Sequence, residues 1–172
     1  MQTKTTPAKA LKRKYPESVV LVTTRGRKGQ ANVMAVGWVA SASEEPPMFV
    51  LGIDSGAFTY RLIRETGEFV VAFPNEQMGP QVLYAGSHHG HKLDKFSGSG
   101  LKTQDGTVVK APLVADAVVN FECKLVRIVK PGDCPLIIGR VVAAHHHRNP
   151  SVRRLYTVGP GHRLSGIRVI NA

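Results

Sequence analysis

Two long β-branched runs, ADAVVNFECKLVRIV (115–129) and PLIIGRVVAAHHH (135–147), stand only the five residues KPGDC apart. That is a hairpin signature, two strands joined by a Pro-Gly-Asp turn, and it commits the second half of the chain to antiparallel sheet. The first half adds strand-like segments at SVVLVTT (18–24), MFVLGID (48–54) and EFVVAFP (68–74), with the small-residue run ANVMAVGWVASAS (31–43) between the first two. The tail LYTVGPGHRLSGIRVI (155–170) predicts two more short strands around a Gly-Pro-Gly turn.

Only two segments change period. In AFTYRLIRET (57–66), Phe58, Leu62, Ile63 and Thr66 share one helical face and Gly67 stands as the C-terminal cap. NEQMGPQVLYAG (75–86) predicts a short helix with Asn75 as N-cap and Gly79-Pro80 weakening its middle. About seven strands against two short helices, with no strand–helix alternation and no internal repeat, point to an antiparallel, mainly β closed or nearly closed barrel with helices at its ends. The length, 172 residues, suits a single domain over 1–172, with 1–17 as a basic lead-in.

Composition narrows the function classes. The chain is 42% hydrophobic and 20% charged, a globular balance. No apolar run reaches the roughly 20 residues of a membrane span, and the lead-in lacks the apolar centre of a secretory signal. The expectation is a cytoplasmic protein with no membrane partner. Cys123 and Cys134 form no CxxC pair, so a zinc ribbon or dithiol motif is excluded and two free thiols are expected. A net charge of +11 attracts anions in general. Aromatics are 6% and no aromatic stripe or recognition helix is present, so sequence-directed nucleic-acid binding is not expected.

All seven histidines lie in the second half, six of them in SHHGHKLDKF (87–96) and AHHHRNP (144–150). His89 with His91, or His145 with His147, have the i, i+2 spacing of two ligands on one strand face, but neither pair has a third ligand nearby in sequence. The alternatives are an anion-binding loop, in which Gly86, Ser87 and Gly90 free backbone N–H groups while His91 and Lys92 add charge, or a plain surface loop. No metal is expected.

The blocks NVMAVGWVASASEEPPMFVLGI, FTYRLIRETGEFVVAFP, SHHGHKLDKF and PGDCPLIIGRVV, in this order and spacing, resemble the flavin reductase-like, flavoredoxin-type proteins over roughly 18–167. The resemblance implies an FMN-binding split β-barrel, a homodimer with the flavin at its interface, and for many members reduction of flavin by NADH or NADPH. Other members carry electrons without a nicotinamide site or act as ferric reductases.

Under that resemblance Asn32, Val33, Met34, Ala35, Val36, Gly37 and Trp38 would lay an open backbone against the flat ring. Ser41 follows on the same run, and Trp38 is either a ring contact or a core or interface residue. Ile53, Asp54, Ser55 and Thr59 sit where the family holds the phosphate near the start of the first helix, and its other loop supplies Gly90, His91 and Lys92. Lys95 either joins the phosphate or pairs with Asp94 while Phe96 packs. Asp133 and Cys134 are the nicotinamide-side candidates. Two departures stand out: Ala35 and Gly37 replace the hydroxyl residues common on that strand, and Cys134 replaces a frequent histidine, which bears on nicotinamide use more than on FMN. Hydride transfer between stacked rings needs no catalytic side chain.

Overall fold

The structure, a computed structural model, describes residues 1–168. The last positions of the expected tail strand, 169 and 170, and the end of the single domain, 171 and 172, lie outside the described residues. The elements run α1 (Pro7–Leu11), β1 (Glu17–Ser18), β2 (Val20–Arg25), β3 (Ala31–Val36), β4 (Val39–Ser43), β5 (Met48–Gly52), α2 (Phe58–Thr66), β6 (Glu68–Phe73), α3 (Gly79–Ser87), α4 (Lys95–Ser99), β7 (Thr103–Gln104), β8 (Leu113–Val114), β9 (Val119–Val129), β10 (Leu136–His146), β11 (Leu155–Gly159) and β12 (Arg163–Gly166). Among the described residues no helix is long and apolar enough to cross a membrane.

Seven strands form one antiparallel sheet in the order β3-β2-β6-β9-β10-β5-β4. Its two edge strands, β3 and β4, are consecutive in the chain, separated only by Gly37 and Trp38. Laid flat, six strand spacings would hold the edges about 29 Å apart, whereas the steps from Val36 to Val39 span at most about 11 Å. The sheet therefore curls until its edges meet at that end. Bulges in the β9–β10 pairing, between Ile138 and Gly139 and between Val141 and Ala143, supply local bends of the kind curling needs. The run 31–43 is thus two strands on opposite edges.

Strands β2 and β6 of the curled sheet are buried on both faces. Along β2, Leu21 packs into one core with Val33, Val70 and the α3 residues Val82 and Ala85. Val20 and Val22 pack into the other, with Phe69, Val71, Leu51 and the α2 residue Ile63. A strand covered on both sides reads as a continuous apolar run rather than an alternating one, as 18–24 and 68–74 do. Helix α2 buries Thr59, Tyr60, Leu62 and Ile63, so the expected face is rotated: Phe58 is half-buried and Tyr60 goes in. Leu62 and Ile63 each contribute roughly 1.5–3 kcal/mol by their burial. Gly67 ends the helix in the left-handed region at φ 70°, its N–H on the Ile63 carbonyl.

Helix α3 starts later than expected. Asn75 closes its own turn, its side-chain oxygen accepting from the Gln77 N–H at 2.8 Å. Met78 is the N-cap, and Gly79-Pro80 open the helix, where a missing N–H costs nothing. The tail forms a three-stranded sheet in which β11 pairs with both β1 and β12.

Strand β9 carries two buried polar residues, Asn120 and Glu122, that clamp the preceding connection. Asn120 exchanges hydrogen bonds with the Val114 backbone, accepting at 2.8 Å and donating at 3.1 Å. The Glu122 carboxylate, fully buried, accepts from the N–H groups of Thr107, Val108 and Val109 and from the Thr107 hydroxyl, all within 2.8 Å. His145 Nε2 completes the set at 2.6 Å. Burial pushes this acid upward, but the hydrogen bonds from the Thr107 N–H, His145, the Val109 N–H and the Thr107 hydroxyl outweigh it and hold it at about 2. The first histidine of the 145–147 run is therefore bound to an acid twenty-three positions upstream.

Because the folded acidity of Glu122 lies below its ordinary 4.5, its stabilisation is complete above that pH and is lost as the pH falls toward 2. Glu122→Gln points an amide N–H₂ at N–H donors, and should lower unfolding stability by about 3 kcal/mol at neutral pH. Denaturant titrations of both proteins should show that difference shrinking between pH 4.5 and 2; a constant difference would deny the clamp its charge.

Candidate functional site

Strand β3 is an edge, so the sheet leaves one side of its backbone without a strand partner. Val33 and Val36 turn their side chains into the two cores, while Met34 and Ala35 are half-buried and Gly37 exposed. What this strand offers a ligand is mainly main chain. Asn32 is the exception. It is 2% exposed, donates from Nδ2 to the Thr59 hydroxyl at 2.8 Å, and its Oδ1 has no hydrogen-bond partner among the described residues.

The histidine loop closes over this point. Gly90 is buried against Asn32, and a Cβ there would collide with Asn32 Oδ1 and crowd Phe58. Gln30 donates to the Gly90 carbonyl at 3.3 Å. His91 stands edge-on to Phe58, ring centres 6.3 Å apart. Asn32, Thr59, Gly90 and His91, far apart in sequence, meet here around Phe58, and His91 shares the adjoining cleft with Ser55. Lys92 is exposed, its N–H closing a turn onto the His89 carbonyl at 3.1 Å; His91 rather than Lys92 faces the cleft.

Lys95 corrects its place among the ligand-binding cations. It is 4% exposed and donates to the carbonyls of Ala85 and His88, the latter at 2.9 Å. It satisfies the end of α3, and burial lowers its ammonium to about 8. Asp94 does not pair with it but caps α4, accepting from the N–H groups of Phe96 and Ser97. Phe96 packs against the core, as the alternative reading had it.

Ala57, the N-cap ahead of helix α2, offers no side-chain cap, so the N–H groups of the first turn are free to meet a ligand. Ahead of it, Asp54 Oδ1 accepts the Gly56 N–H at 2.6 Å. Asp54 thus shapes the turn and sets a negative charge beside it, which corrects its place among phosphate contacts. Ile53 lies in the core and donates its N–H to the Pro135 carbonyl at 3.1 Å. That bond holds the β9–β10 turn, with Asp133 and Cys134, beside the start of α2. The Cys134 thiol is raised by desolvation and by the carboxylates of Asp133 and Asp54; burial, then Glu122, pushes Cys123 to about 12. Both cysteines are free.

Trp38 and Ser41 lie elsewhere. Trp38 is 59% exposed, its ring lying over Gly52, and Ser41 is on the exposed edge β4. Among the described residues no cluster of His, Cys, Asp or Glu is arranged to hold a metal.

A cleft of about 710 Å³ opens from the start of α2 along its outer side, lined by Ser55, Gly56, Ala57, Phe58, Tyr60, Arg61, Arg64, Glu65 and His91. The two arginines went unread in the sequence, where attention to the apolar face of the helix left its polar face as ordinary surface. Their spacing, three residues apart beside two aromatics, was the available signal.

A curled antiparallel sheet with an open edge strand and a helix start at one point of closure is a split β-barrel. Within that class, the chain belongs to the flavin reductase like family, whose domain model matches residues 12–159. It is 33% identical over 132 residues to an uncharacterized protein of Archaeoglobus fulgidus, covering 77% of this chain and 73% of that one. It is 30% identical over 124 residues to the NADH:riboflavin 5'-phosphate oxidoreductase of Streptomyces pristinaespiralis, covering 72% and 68%. The solved flavoredoxin from Methanosarcina acetivorans superposes with a TM-score of 0.85 at 25% identity, covering 100% of this chain and 94% of that one.

Gly90→Ala tests the packing at the centre of the site. The added methyl should cost about 1–3 kcal/mol, and Asn32→Ala, which removes the colliding oxygen, should recover part of it. A denaturation double-mutant cycle showing strictly additive losses would contradict the contact.

Proposed function

We propose that this chain is an FMN-binding oxidoreductase of the NAD(P)H:flavin type, working as a homodimer in the cytoplasm. The observation that carries the reading is the meeting of the open β3 edge, the uncapped start of α2 and the Gly90 loop around the unpartnered oxygen of Asn32. Those groups suit FMN: main-chain donors and acceptors for the ring's polar edge, and helix N–H groups with Ser55 and Thr59 for a phosphate. The Asn32 side chain, held by Thr59, links the two ends.

Bound there, FMN supplies a ring atom that accepts hydride from NADH or NADPH. The chain's part is to hold and orient. The Ile53–Pro135 bond keeps the Asp133-Cys134 turn beside the site, on the side proposed for the nicotinamide. Ser41, Trp38 and β4 lie on exposed sheet with Val126 and Val129, the surface proposed for the second copy. The name of the Streptomyces relative supports the NADH-dependent reading.

A second reading, an FMN electron carrier without its own nicotinamide site, is favoured by Cys134 at that turn and by the likeness to a flavoredoxin. Anaerobic mixing of the flavin-loaded protein with NADH and NADPH separates the two: rapid bleaching is expected of an oxidoreductase, and a spectrum unchanged over minutes would leave only the carrier.

Fluorescence titration tests the phosphate assignment. Ser55→Ala should weaken FMN about tenfold and spare riboflavin, which has no phosphate, whereas Lys92→Ala, outside the cleft, should leave both affinities nearly unchanged. Equal losses for both flavins would assign these residues to the fold.

A further inference from the structure

A second pocket shares no lining residue with the cleft beside α2. It holds about 600 Å³ between the start of α3, the connection ahead of β9 and the loop that follows β10. Adjacent residues brace its two sides. Asn75 Nδ2 donates to the Asp116 carbonyl at 2.7 Å, and the Glu76 N–H donates to the Arg153 carbonyl at 2.9 Å. The His147 N–H, on the Val118 carbonyl at 2.9 Å, ties the loop back to the connection that carries Asp116. A pocket braced by such bonds is formed before any ligand arrives.

The hydrogen bonds around this pocket leave unlike groups free on its two sides. The Asp116 carboxylate is exposed and forms no ion pair among the described residues. On the loop side, Glu76 takes the Arg153 guanidinium through Nε and Nη2, the latter at 2.8 Å, and Nη1 remains. Asn149 Oδ1 accepts the Ser151 N–H at 3.0 Å, which leaves the Asn149 amide N–H₂ and the Ser151 hydroxyl without partners among the described residues. His147 Nδ1 accepts the Asn149 N–H at 3.1 Å, so the ring proton stands on Nε2. Gln81 adds to the wall an Oε1 that has no partner among the described residues.

One free acid and a set of free donors therefore share one pocket. A simple cation would leave the donors unmet, and a simple anion would face the Asp116 charge. A solute that carries both charges close together meets both sides. We propose that this pocket binds a free α-amino acid, its ammonium on Asp116, its carboxylate on Arg153 Nη1, Asn149 and Ser151, and its side chain toward Gln81. The inference is independent of the flavin reading.

The test is calorimetric titration of glycine, L-alanine and L-glutamine into the full chain, with methylamine and acetate as probes that carry one charge each. L-Glutamine should bind at one per chain and most tightly of the three, its amide donating toward Gln81, and each single-charge probe should bind more weakly than any amino acid. Asp116→Asn keeps the shape and removes the charge, whereas Ser151→Ala removes a donor from the other side. Each should weaken the amino acid about tenfold, the loss of one charge-assisted contact. Both side chains are exposed, so the melting midpoint and the affinity for FMN should stay at the wild-type values. If Asp116→Asn does lower the midpoint, Ser151→Ala and the single-charge probes still decide. Saturable binding of none of the three amino acids, or binding that neither variant weakens, overturns the proposal. Methylamine or acetate binding as tightly as the amino acids overturns it too, since the pocket would then read a single charge.

Discussion

Two residues join the opposite edges of a seven-stranded sheet, and much of the architecture follows from that tether. Gly37 and Trp38 cannot span a flat sheet, so β2, β6, β9, β10 and β5 bend round between the edges they separate. A curled sheet has two faces of different curvature, and each needs its own cover. Helix α2 supplies one, with Tyr60 and Ile63 among Val20, Val22 and Phe69. Helix α3 and the connection 101–117 supply the other, with Val82 and Leu113 beside Leu21 and Val70. The site is where the curl leaves something undone, at an edge strand whose outer backbone no strand pairs.

The polar interior serves that arrangement. A connection laid over a sheet face brings main-chain N–H groups away from water, and each needs an acceptor. Glu122 provides acceptors for three consecutive residues, and Asn120 imitates a strand partner for Val114. Lys95 does the converse job for the carbonyls that end α3. These charges act on the fold, and their placement frees the loop charges nearer the cleft to face outward. Burial sorts them: Lys92 on the loop lies outside and Lys95, three residues on at the start of α4, lies inside.

The fold was legible because its signals are local. The 115–147 hairpin, the α2 period with its Gly67 stop and the continuous apolar runs all declare themselves within a dozen residues. What escaped was set by partners distant in sequence. Nothing near Glu122 in the chain says that its ligands are Thr107 to Val109 on one side and His145 on the other. The same blindness made 145–147 resemble a metal fragment until the register put His145 over that acid. The 31–43 run read as one segment because a passage from one sheet edge to the other leaves only a Gly-Trp pair as its mark.

The site was half legible for a related reason. Asn32, Thr59, Gly90 and His91 were marked by the family's blocks, and the structure brings them together. Asp54, next to one of those blocks, and Lys95, within another, were marked as well, yet their hydrogen bonds go to a turn and to a helix end. Proximity in a motif records that a segment is needed, and leaves open whether its charge faces a ligand or the chain itself. Exposure and partner count decide that. By the same criterion Arg61 and Arg64, which no motif marked, emerge as cations with open donors. Each is steadied by a ring face that attracts a guanidinium without saturating it. A carboxylate partner would have fixed these arginines equally well but used up the donors. Aromatic support is how a surface can hold cations in place and still keep them available to an anion.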